Sequence, residues 1–112
     1  MATTESQSAQ VVGVNMAVGR YIIESGDTAA AITITVGFKA RYVKVVNLNA
    51  SGDVMIEWFE GMAADEGVKT AIDGTRSLIT SLGITVSDKS FVIGLDTDLN
   101  VKAEQLSWLA IA

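Results

Sequence analysis

The chain of 112 residues contains no histidine, no cysteine and no proline. Without histidine it lacks the commonest general base, the Ser-His and Cys-His nucleophile pairs and the commonest zinc ligand. Without cysteine it has no disulfide framework, no thiolate and no sulfur-ligated metal, a composition that suits assembly in a reducing cytosol. Without proline, every turn must rest on Gly, Asn, Asp and Ser. Charge is thin, at 19% of residues, and positive charge thinner: 8 basic against 13 acidic residues, net −5. The basic residues are scattered singly, so there is no stripe to neutralise phosphates, and nucleic acid and anionic membranes are poor partners. No apolar run approaches the ~18 residues of a membrane span. Residues 1–10 carry Glu5 and no Lys or Arg, so they do not read as a leader. The expectation is a soluble protein that is not an enzyme and holds no cofactor.

What is present is apolar. Hydrophobic residues make up 49% of the chain and the mean hydropathy is +0.37. A domain of this size has much surface for its volume, so such a composition leaves apolar area exposed once one core is full. That surplus implies burial against partners, copies of the chain included. Residues 1–10 (MATTESQSAQ) are polar and cannot offset the entropy of ordering alone. They read as a flexible arm, dispensable for folding, ahead of a single β domain over residues 11–112.

Val and Ile supply 23 residues against 7 Leu, and Thr adds 10, a balance that favours pleated surfaces. Ile32-Thr33-Ile34-Thr35-Val36 alternates as a half-buried strand does. Arg41–Leu48 is apolar on both sides apart from Lys44 and reads as a central strand covered on both faces. Turn residues at 49–53 then lead into Val54–Phe59, a hairpin pattern. Gly61–Gly67 reads as an acidic loop with a helical turn at Ala63-Ala64-Asp65. Val68–Ile72 reads as a short edge strand ended by Asp73-Gly74. Leu78-Ile79, Ile84–Val86, Phe91–Leu95 and Gln105–Ile111 complete the set. In the last of these Leu106, Trp108 and Ala110 share one face, and Leu109 and Ile111 the other. Short strands at this spacing predict an all-β antiparallel sandwich or barrel of about eight strands.

Chemical motifs are few. Asp65-Glu66 and the Asp96/Asp98 pair sit in turn-like, solvated sequence that would not raise a carboxyl pKa for acid catalysis. Asp96-Thr97-Asp98-Leu99-Asn100 matches the first three ligand positions of a calcium loop. Val101 then stands where Gly is needed, and Ser107 where a bidentate Glu belongs. The reading is a structural turn, with a cation held by Asp96, Asp98 and Asn100 as the alternative. Gly67-Val68-Lys69-Thr70 has the wrong spacing for a phosphate loop. Trp58, Phe59 and Met62 cluster beside the acidic loop, and alternation sends Trp58 and Phe59 to opposite faces, so one can fill the core while the other faces outward.

The segment RYVKVVNLNASGDVMIEWFEGM (Arg41–Met62), together with the closing GLDTDLNVKAEQLSWLAIA (Gly94–Ala112), resembles small virion proteins of tailed bacteriophages. In those, an RYV-V-N strand precedes an EWF-GM strand and the chain ends on a D-D-N…L-W-A strand. The resemblance covers about two thirds of the chain and carries no catalytic residues. It implies a structural protein of the virion, assembled in the host cytoplasm, with capsid decoration (cement) or head fibre as the leading role and the major capsid protein as partner. The apolar surplus points to a homo-oligomer, and the resemblance makes it a trimer, matching the three-fold positions of an icosahedral lattice. Candidate interface residues are Val11, Val12 and Val14 near the arm, and Trp58, Phe59 and Met62. The alternatives are a tail-tube, connector or collar component, and a carbohydrate-binding module of a fibre.

Overall fold

A computed structural model describes residues 15–23, 30–49, 54–101 and 103–112. Eight strands follow in chain order: β1 (Met16–Ile22), β2 (Ile32–Thr35), β3 (Tyr42–Asn47), β4 (Met55–Phe59), β5 (Glu66–Thr70), β6 (Arg76–Val86), β7 (Ser90–Ile93) and β8 (Gln105–Ile111). All pair antiparallel in one sheet of order β1-β8-β3-β4-β5-β6-β7-β2. The described residues contain no helix. The all-β expectation holds. The architecture is a single sheet that curls, with β1 and β2 as its edges.

Alternation builds the inner face. Val43, Val45 and Asn47 of β3, Ile56 and Trp58 of β4, and Leu106 and Ala110 of β8 all point inward and are buried. From the other end of the sheet, Ile32, Ile84, Phe91 and Ile93 close over them. Phe91 of β7 meets Trp108 of β8 edge-on, ring centres 5.6 Å apart, although four strands lie between them in the sheet. Curling is therefore driven by burial, at roughly 1.5–3 kcal/mol for each large side chain removed from water.

The curl turns sharply within β6. Its first half pairs with β5 up to Ile79↔Gly67, yet the next pair is Ile84↔Glu66, so Thr80–Gly83 stand out of register. Leu82 takes a positive φ of 62°, and a Cβ on Gly83 would run into the Glu66 carbonyl oxygen. Such a bulge bends a strand so that one chain segment serves two layers. From sequence, Leu78-Ile79 and Ile84–Val86 read as two strands; they are the two arms of this one.

Three further expectations are corrected. Tyr42, Lys44 and Val46, on the outer side of β3, are only half-buried, because the described residues form one curled sheet and put no second layer over that side. β5 is internal, held between β4 and β6; its Lys69 lies opposite inward-facing Ile56 and is paired with Asp96 and Asp98. The turn at 63–66 is a single hydrogen-bonded turn, with Glu66 N–H donating to the Ala63 carbonyl at 3.3 Å and Asp65 left-handed. β1 was not recognised in the sequence, since Gly19 and Arg20 interrupt its alternation.

Candidate interface

Cross-strand register sorts the outer face of β1, β8, β3, β4, β5 and β6 into rows. One runs Met16, Ile111, Tyr42, Phe59; the next runs Val18, Leu109, Lys44, Glu57, Val68, Leu78. A third runs Arg20, Ser107, Val46, Met55, Thr70, Arg76. Met16 and Val18 on β1 and Leu78 on β6 are at least 60% exposed and the strands between them are half-buried on this side, so the face is largely apolar and partly open across six strands. It carries Arg20, Lys44 and Arg76 against Glu57, a local positive excess on a chain of net charge −5.

Glu57 organises the middle of this face. Its Oε2 accepts from the Tyr42 hydroxyl at 2.6 Å, and its Oε1 lies 3.7 Å from the Arg76 guanidinium. Partial burial of the phenol, reinforced by the hydrogen bond and charge of Glu57, pushes the Tyr42 pKa up to about 12. The Phe59 ring lies 5.2 Å from that of Tyr42. Together with Arg41, Glu60, Ile111 and Ala112 they line a shallow hollow of about 400 Å³.

The residues expected at an interface separate. Phe59 is on the outer face, 44% exposed. Trp58 is a core residue whose Nε1–H donates to the Ala63 carbonyl at 3.2 Å, so it presents no anchor to a partner. Met62 packs against the core, with its Sδ 3.5 Å from the Phe59 N–H. Val11, Val12 and Val14, like the arm, lie outside the described residues. Met16, Val18 and Leu78 went unnoticed in the sequence, Met16 and Val18 because β1 itself did. Their signal was the alternation of Met16, Val18 and Ile22.

The opposite end of the molecule is a polar knot. Asp96 Oδ1 accepts from the N–H groups of Asp98 and Leu99 at 2.9 and 3.1 Å, the turn expected there. Lys69, on β5, sends its ammonium to Asp96 at 2.9 Å and Asp98 at 2.8 Å. That ammonium occupies the point where the two carboxylates converge. Burial opposes the charge on Lys69, but the hydrogen bonds and charges of Asp98 and Asp96 outweigh it and raise its pKa. Asn100 Nδ2 donates to the carbonyls of Ala30 and Gly94, so its side chain ties loops together. Each of the three side chains raised as a cation site thus has a partner within the protein. Among the described residues no cluster of three or more acidic groups suits a metal ion.

No family model, no curated protein and no solved structure matches the chain.

Proposed function

We propose that the chain is a non-catalytic structural subunit of a tailed-phage particle, a decoration protein that docks on the head by the outer face of its sheet and stabilises the shell. The observation that carries the reading is the largely apolar, partly open face across six strands, on a chain with no histidine or cysteine to do chemistry. A patch of this kind on a small domain marks a protein partner. Its positive excess suits an acidic, apolar surface on the major capsid protein. The resemblance of Arg41–Met62 and Gly94–Ala112 to virion proteins supports the same role, and with it a homo-oligomer on the virion, a trimer where it sits at three-fold positions. Binding assembled shell but not free capsid subunits stabilises the shell by mass action.

The test is sedimentation of the protein with heads and, separately, with tails purified from particles that lack it. Stoichiometric recovery with heads, lost on Leu78→Asp, and DNA release at lower temperature from undecorated heads are the expected results. Recovery with tails alone overturns the head assignment in favour of a tube, connector or collar. A second reading has one feature in its favour: Tyr42 and Phe59 flank a shallow hollow beside the Arg41–Glu60 ion pair, a platform on which a sugar ring could stack. A glycan-array signal abolished by Phe59→Ala selects it.

A further inference from the structure

The two edges of the sheet are unlike. β2 is four residues long and alternates Ile with exposed Thr, a short edge of the kind that resists further pairing. β1 runs seven residues in unbroken register with β8, with no proline, no bulge and Arg20 as its one charge. Met16, Val18 and Ile22 are 61, 67 and 56% exposed. A long, regular, apolar edge is a template for another strand.

Its hydrogen-bonding parity is determined. The Asn15 carbonyl accepts from Ala112 N–H at 2.9 Å, and the Ile23 carbonyl accepts from Ala103 N–H at 2.7 Å. The odd-numbered residues of this stretch therefore face β8, and Met16, Val18, Arg20 and Ile22 aim their N–H and C=O groups at the edge that no other described strand occupies. We propose that this edge pairs with β1 of a second copy, antiparallel about a two-fold axis through Gly19. The pairing makes the homo-oligomer proposed above a two-fold dimer in place of a trimer and rests on that reading for its purpose, but it forms in solution without a particle.

Only this register uses the whole strand. Met16 lies opposite Ile22 of the partner subunit and Val18 opposite Arg20 of the partner subunit, each pair on the outer face. Four such pairs form about eight inter-strand hydrogen bonds, two for each. Moving the axis to residue 20 would set Arg20 against its own copy, like charges directly opposed. Moving it to Val18 would leave Ile22 overhanging. At Gly19 the strands meet in a non-hydrogen-bonded pair, where Cα atoms approach to about 4.5 Å. The Trp108 indole already fills the place of a side chain there: a Cβ on Gly19 would sit 2.6 Å from its Cζ2. The joined sheet carries the outer face across the axis, with Val18 and Arg20 of each copy beside it.

The contact is modest in size. A strand about 24 Å long in a sheet about 10 Å thick presents on the order of 250 Å² per copy, below the roughly 800 Å² per partner of a stable complex. The pair accordingly forms in the micromolar range or above.

Sedimentation equilibrium of the full chain from about 1 to 500 μM tests this. The expected mass rises from 11.8 kDa toward twice that value. Arg20→Pro removes an N–H at that edge and none that bonds β8, a position where proline is tolerated. It should weaken the pair at least tenfold with the circular dichroism spectrum unchanged. Val18→Lys, which sets a lysine against the partner's Arg20, should do the same if Arg20→Pro does not fold. The chain has no cysteine of its own, so Met16→Cys mixed with Ile22→Cys should give a disulfide-linked dimer on oxidation. Val18→Cys alone should give none. A monomer throughout, a trimer, an edge variant that pairs as well as the parent, or efficient self-linking of Val18→Cys overturns the proposal. Pairing in solution without recovery on heads leaves it standing and removes the decoration role; recovery on heads by a strict monomer does the reverse.

Discussion

Asn47 is a fully buried polar residue at the end of β3, and replacing it tests how the sheet is tied to the segment that leads into β8. Its Nδ2 donates to Glu104 Oε1 at 2.7 Å and lies 3.3 Å from the carbonyls of Asp98 and Leu99, while its Oδ1 accepts from Asn49 N–H at 2.9 Å. Asn47→Ala removes all four and leaves their partners short of a donor or acceptor. The bond to the charged Glu104 is worth about 1.5–3 kcal/mol and each neutral one about 0.5–1.5. Bonds sharing one side chain do not add fully, so a loss of about 2–4 kcal/mol is expected. That lowers the urea midpoint by roughly 1–2 M, against a change within ~0.5 kcal/mol for Thr33→Ala on the exposed side of β2. Asn47→Asp sharpens the test. It sets a second carboxyl against Glu104 and two carbonyl oxygens in a buried place, so the folded state favours the protonated acid. The fold then binds more protons than the unfolded chain, and stability of this variant must rise as pH falls from 7 toward 5. Equal urea midpoints for Asn47→Ala and Thr33→Ala, or a pH-independent Asn47→Asp, would refute the view of Asn47 as the clamp on this segment.

Two other outcomes follow from local geometry. The Tyr42 phenolate should appear near pH 12 when absorbance at 295 nm is followed, and Glu57→Gln should bring that titration down; a parent Tyr42 ionising near 10 contradicts the hydrogen bond to Glu57. Leu82 holds a positive φ while 45% exposed, which costs a side-chain residue about 1–2 kcal/mol. Leu82→Gly should therefore raise stability by up to about 1 kcal/mol in urea unfolding, and a marked loss would show that the leucine packs more than it strains.

Class and most strands were legible in the residues because a strand with one wet and one dry face must alternate. Ile32–Val36 and Gln105–Ile111 show this plainly, and Asp96–Asn100 announces its turn through side chains that bond their own backbone. What the chain has little of also spoke locally: no histidine or cysteine removes whole classes of chemistry whatever the fold. The outer surface could not be read in this way. Val46 looks like a core residue in sequence, and only the way the one sheet curls, with its inner side closed on itself and no described residue over the outer side, leaves Val46, Val68 and Leu109 half-buried. The same topology made β5 internal, put Trp58 inside and Phe59 outside, and joined Leu78-Ile79 to Ile84–Val86 through a bulge at Leu82. Edges and neighbours are set by contacts between residues far apart in the chain, such as Phe91 on Trp108. Alternation along a strand says that two faces differ; which of them meets water depends on what the rest of the chain brings to each.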